Sequence, residues 1–138
     1  LSALMNYKLD GGASPFSSRI LAEYMRGHMF DHIDDLIAVY RNKRDVMVQG
    51  LQKGLGSDAT WSQPEGGFFI WLELPEGAIA DEVRVSCGKR GVAVWSGAQF
   101  RWDGHDDRHV RLSYSFATPK EIEEGVAILC EEIRNLAT

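Results

Sequence analysis

The sequence lacks the features that mark membrane, secreted and nucleic-acid-binding chains. It has no run of eighteen apolar residues and no charged-then-apolar leader, so neither a membrane span nor a secretory signal is predicted. It has two cysteines, Cys87 and Cys130, each in a segment of helical periodicity where a small apolar residue would serve equally well. Reduced core thiols are expected rather than a disulfide, and a cytoplasmic setting follows. Fifteen basic residues face twenty acidic ones, and the net charge of -5 repels phosphate backbones and anionic lipid. Neither a nucleic-acid nor a membrane partner is expected. There is also no GxGxxG, no Walker lysine, no nucleophile elbow, no internal repeat and no low-complexity tract.

What is present is an ordinary globular composition, 44% hydrophobic and 25% charged, in 138 residues. That suits one compact domain but is short for a two-lobed cofactor enzyme. The chain begins at Leu1 without an initiator methionine, which reads as a processed product or the tail of a longer polypeptide.

Ser14 and Pro15 form an N-cap and first-turn pair for a short helix carrying Ile20, Leu21 and Tyr24, with Gly27 positioned to close it. A long amphipathic helix is predicted from about Met29 to Gly54, on the stripe Ile33, Ile37, Tyr40, Met47 and Leu51. Arg44 interrupts that stripe and is expected to snorkel at its edge or pair with a carboxylate. The period changes to two around 59–62 and 67–74. There Phe68, Ile70, Leu72 and Leu74 share one face, Phe69 and Trp71 the other, and Gln63-Pro64-Glu65-Gly66 makes a hairpin.

A helix marked by Ile79, Val83 and Cys87 follows, capped by a left-handed Gly91, and then a strand from Val92 to Trp95. Gly97 to Phe100 reads as irregular and Asp103-Gly104 as an exposed turn. In the last strand Val110, Leu112 and Tyr114 face the core, while His109, Arg111, Ser113 and Ser115 face away. Thr118-Pro119-Lys120-Glu121 is a capping box opening a helix with the stripe Ile122, Val126, Leu129, Ile133 and Leu136. The fold class is therefore α/β of the α+β type: a small mixed or mostly antiparallel sheet, helices packed on one face, and a long connecting helix in front.

Among candidate functional residues Arg111 stands first. An arginine on a neutral strand face needs an anionic partner, and neither Ser113 nor Ser115 can neutralise it. A ligand carboxylate can, through two parallel charge-assisted hydrogen bonds; the competing reading is an internal pair with Glu73 or another carboxylate of the chain. His28 and His32, four apart with Asp31 and Asp35 nearby, have a spacing compatible with a metal. No glutamate follows His28 as the zinc-protease pattern requires, and Gly27 interrupts the helix, so they read as a hydrated helix terminus and no metal is assigned. Gly11-Gly12-Ala13-Ser14-Pro15 could present backbone N–H groups to an anion, but it reads more simply as punctuation before a helix.

In combination these stretches resemble the C-terminal small domain of fold-type I, class I/II pyridoxal-phosphate-dependent aminotransferases. The resemblance is strongest to the aminoadipate and kynurenine aminotransferase branch and to the aminotransferase-like halves of certain transcription regulators. It is carried by Tyr40-Arg41-Asn42-Lys43-Arg44-Asp45 with Met47 and Leu51, by Trp61 through Leu72, by Gly91-Val92 through Gly97 and Phe100, and by Val110 through Ser115 with the capped helix behind it.

The resemblance implies that residues 1–28 are the tail of the large-domain or connecting region and that 29–138 are the small domain with its long N-terminal helix. It implies that Arg111 binds the α-carboxylate of a small-molecule amino acid or 2-oxo acid, and that the complete enzyme is a homodimer using pyridoxal 5'-phosphate in amino acid metabolism. The segment from about Asp10 to Phe16 would lie at the subunit boundary. Two departures accompany it. None of Lys8, Lys43, Lys53, Lys89 and Lys120 has the serine-rich, arginine-followed context of the Schiff-base lysine, so the isolated chain is expected to be inactive. Ser96 also stands where the family commonly has proline before Gly97. The alternatives are a non-enzymatic carboxylate-binding or oligomerisation module, or the effector domain of an aminotransferase-like regulator with an upstream helix-turn-helix.

Overall fold

The computed structural model describes residues 14–137. Helix α1 runs Pro15–Leu55, followed by β1 (Thr60–Trp61), β2 (Phe69–Glu73), α2 (Ala80–Lys89), β3 (Trp95–Ser96), a 3-10 helix (Gly97–Phe100), β4 (His109–Ser113) and α3 (Pro119–Leu136). The chain divides into two compact units, one ending at Ile37 and one beginning at Ala38. No helix among the described residues is long and apolar enough to cross a membrane.

The two expected N-terminal helices are one. Gly27 does not end the first: it lies inside α1, and it is not among the glycines with positive φ. An interior glycine costs a helix about 1 kcal/mol against alanine. That is too little to break a run flanked by Arg26 and Met25 on one side and His28, Met29 and Phe30 on the other. In the first unit Tyr24 stands 5.2 Å from the His28 ring and 5.9 Å from the His32 ring. The glycine-rich residues 11–13 and most of the expected boundary segment, 10–13, lie outside the described residues.

The second unit is built around an antiparallel four-stranded sheet in the order β1-β2-β4-β3. The period-two alternation sets its inner face: Ile70, Leu72, Val110 and Leu112 are buried and join one core with Val83 and Cys87 of α2 and Ile122, Val126, Leu129 and Ile133 of α3. Each such side chain taken from water is worth roughly 1.5–3 kcal/mol. Met47, Leu51 and Leu55 carry the same core into the end of α1. Leu74 is buried as the alternation predicts, but Phe68 stays 44% exposed and lies edge-on to the Tyr40 ring at 4.9 Å. It precedes β2, so the strand alternation does not govern it.

Local signals act where they were read. Thr118 and Glu121 form the reciprocal capping box, with Pro119 in the first turn. Gly91, at φ 81°, ends α2: Val92 N–H donates to Cys87 O at 3.0 Å and Gly91 N–H to Gly88 O at 3.1 Å. That closure consumes the Val92 N–H. The strand expected over 92–95 is accordingly reduced to Trp95–Ser96, although Val94 still packs into the core. Gly97 to Phe100, expected to be irregular, form a 3-10 turn. Both cysteines are free and buried, and burial together with the Glu132 carboxylate pushes the Cys87 thiol up to about 11.

Candidate functional site

The outer face of the sheet is chemically unlike the inner one. Register places Trp71 and Trp95 on either side of Arg111, Phe69 opposite Ser113, and Glu73 opposite His109. The pleat that sends Val110 and Leu112 inward sends Arg111 outward, half-buried. Its guanidinium carbon lies 4.1 Å from the Phe69 ring centroid and 3.9 Å from that of Phe100. Its Nε is buried without a hydrogen-bond partner.

The internal-pair reading of Arg111 does not hold. Glu73 instead accepts from Thr60 Oγ1 at 2.9 Å and from Arg108 Nη2 at 3.4 Å. Among the described residues no carboxylate forms an ion pair with Arg111. A half-buried cation lying over two aromatic rings, with no ion-pair partner among the described residues, is a ready receptor for an anion.

Neighbouring groups fix this surface. Phe100 meets Trp71 edge-on at 6.0 Å, and Trp71 stacks on His109 at 5.6 Å with 24° between planes. His109 Nδ1 is 2.8 Å from Asp106 Oδ1, which also accepts the backbone N–H groups of Arg108 and His109. Burial alone pushes the Asp106 carboxyl up, but these hydrogen bonds outweigh it and hold the group below its ordinary value. Gly97 packs so closely here that a Cβ would come within 2.7 Å of Asp106 Oδ2.

The hairpin that carries Phe69 is pinned at both ends. Arg44 donates twice to Asp45 and once to Pro64 O at 3.2 Å, combining the carboxylate pair expected for it with a clasp on the loop. Tyr114 donates its hydroxyl to Gly67 O at 2.9 Å.

Phe69, Trp71, His109 and Arg111 were legible as one face from alternation. Phe100 and Asp106 were not, because each enters from a loop and no periodic signal ties either to Arg111.

The described lysines that have a hydrogen-bond or ion-pair partner find it elsewhere. Lys43 Nζ donates to Ser115 O at 2.9 Å, Lys120 pairs with Glu124 at 3.8 Å, Lys53 and Lys89 are exposed, and Lys8 lies outside the described residues. Among the described residues no group of three His, Cys, Asp or Glu side chains is placed to hold a metal ion. Ser96, where the resemblance implies proline in the family, is buried with φ -65° and ψ 142°. Proline itself adopts that conformation, so the backbone entering the 3-10 turn has the shape proline would give it.

Known proteins are similar to this chain in sequence and in fold. The chain is 32% identical over 127 residues to aromatic-amino-acid aminotransferase 1 of Thermococcus litoralis, covering 91% of this chain and 30% of that protein. It is likewise 32% identical over 128 residues to an uncharacterized HTH-type transcriptional regulator, YisV, of Bacillus subtilis, covering 92% of this chain and 26% of the regulator. Among solved structures it is similar to LysN, the alpha-aminoadipate aminotransferase of Thermus thermophilus, crystallised with N-(5'-phosphopyridoxyl)-L-leucine. The TM-score is 0.78 and the identity 28%, over 84% of this chain and 30% of that one. The chain thus spans between 26% and 30% of the length of these proteins. The model of the family described as aspartate amino-transferase matches residues 18–136, nearly the whole sequence, and the chain belongs to that family.

Proposed function

We propose that this chain is the C-terminal portion of a pyridoxal-phosphate-dependent aminotransferase that moves an amino group between an amino acid and a 2-oxo acid. Residues 1–28 would be the tail of the large-domain or connecting region and 29–138 the small domain. The complete protein would be a cytoplasmic homodimer. The observation that carries the reading is Arg111: an outward guanidinium with no carboxylate partner among the described residues, held between two rings on a face of the sheet that the core does not use. Its role is to receive the substrate α-carboxylate through paired N–H···O bonds and so fix the orientation of the reacting carbon. The cofactor, with its electron-sink chemistry, would be held by residues of the complete protein other than the lysines described above.

The test is kinetic. In the complete protein, Arg111→Ala is expected to lower kcat/KM for the amino donor by roughly a thousandfold, the scale of losing two charge-assisted hydrogen bonds. Arg111→Lys should retain part of the activity, because it keeps the charge but not the fork. An Arg111→Ala enzyme with undiminished kcat/KM would overturn the assignment. Transamination by the isolated chain supplied with pyridoxal phosphate would overturn the fragment reading.

The similarity to the Bacillus regulator supports a second reading, the effector half of a regulator. There Arg111 would bind a carboxylate ligand without turnover. An in-frame helix-turn-helix upstream of Leu1, with ligand binding but no amino transfer in the complete protein, would select it.

A further inference from the structure

We infer that Phe69 and Phe100 are positioning residues for the reaction: together they hold the Arg111 guanidinium so that it meets a carboxylate through its open outer edge. The inference rests on the reading of Arg111 as the carboxylate anchor and adds to it the device that aims it.

The two rings reach Arg111 from opposite flanks of β4. Phe69 comes from β2, diagonally across the ladder, and Phe100 comes from the 3-10 turn that follows β3. The guanidinium carbon lies over both faces, at 4.1 and 3.9 Å. Core packing does not explain either ring, since Phe69 remains 42% and Phe100 43% exposed. A free arginine side chain has several soft torsions and would have to be ordered at each binding event, at an entropic cost. Two ring faces attracted to the cation remove most of that freedom in advance. With Nε buried and unpartnered, the terminal nitrogens are left as the accessible donors, which is the geometry for a paired contact with a carboxylate.

Phe100 is itself braced. Its edge contact with Trp71, the stack of Trp71 on His109, and the His109–Asp106 hydrogen bond form a continuous series behind the ring. The close approach of Gly97 to Asp106 seats the turn that carries it.

The experiment uses the complete protein, with L-2-aminoadipate, L-leucine and L-kynurenine as donors and 2-oxoglutarate as acceptor. Phe69→Leu and Phe100→Leu should each raise donor KM roughly three- to tenfold, with kcat held within about twofold. Phe100→Tyr should return KM to near the parent value. Replacing Phe100 with progressively fluorinated phenylalanines, which weakens the ring's negative face while keeping its shape, should raise KM in step. Independently of activity, the Arg111 Nε–H proton in protein labelled with 15N-arginine should show an upfield ring-current shift that Phe69→Leu and Phe100→Leu each reduce.

Unchanged KM in both leucine variants, insensitivity to fluorination, or an Arg111 Nε–H proton at an ordinary position would each overturn the inference. So would a loss of thermal stability with kcat and KM altered together and no rescue by tyrosine, the signature of a purely structural role. Arg111→Lys separates the two claims. If it leaves KM unchanged, the anchor reading fails as well; if it raises KM while the phenylalanine variants do not, only the positioning claim fails.

Discussion

The two faces of the four-stranded sheet share a backbone and a register, yet one is apolar and sealed from water and the other carries rings and charges. On the inner face Ile70, Leu72, Val110 and Leu112 are all but sealed from water, and their contribution follows apolar area. On the outer face the same strands present Phe69, Trp71, Glu73, His109 and Arg111, a mixture of rings and charges that no core would accept unpaired. One residue of register separates a side chain that stabilises the domain from one that can meet a ligand. A slip of a single position would exchange the two sets.

The largest expected effect that sharpens this contrast is on the inner face. Leu72→Ala should lower the unfolding free energy by about 3–4 kcal/mol, as for other fully buried leucines. Arg111→Leu, one strand away and facing outward, should change it by less than about 1 kcal/mol. Urea denaturation of the paired variants checks this, and comparable losses from both would mean that the outer face is part of the core after all.

A smaller effect concerns the helix that covers the inner face. Thr118→Ala removes the side-chain acceptor for the Glu121 N–H and should cost about 1 kcal/mol. Hydrogen exchange in the first turn of α3 should speed up accordingly, while the amides of β2 and β4 keep the protection of the whole domain.

The smallest is electrostatic and belongs to the outer face. Because the folded protein holds the Asp106 carboxyl below its ordinary value of 3.8, its contribution is complete above that pH and is lost as the pH falls through the depressed value. The stability difference between the parent and Asp106→Asn should therefore be constant at neutral pH and shrink below about pH 4. A difference that persists unchanged into strong acid would mean that hydrogen-bond shape, rather than charge, holds His109 in place.

How far the sequence could be read depended on how local the cause was. The capping box at Thr118 and the left-handed Gly91 involve residues within a few positions of each other, so their chemistry is complete in the sequence. The alternation in 69–73 and 109–113 likewise assigned every strand side chain to its face. Gly27 differs because one glycine costs only about 1 kcal/mol, and whether it ends a helix depends on the run of residues on both sides of it.

The amino-acid sequence by itself determined strands β2 and β4, their buried and outward faces, the final capped helix and the outward projection of Arg111, since these depend on periods of two and 3.6 residues and on turn chemistry; that every pairing is antiparallel came from the tertiary structure. Only the tertiary structure decided that Glu73 turns to Arg108, that Phe100 crosses to cover Arg111, and that Asp106 braces His109. Those contacts join loops and strands whose approach is governed by the packing of the whole sheet against its helices, and no short stretch of sequence encodes that energy.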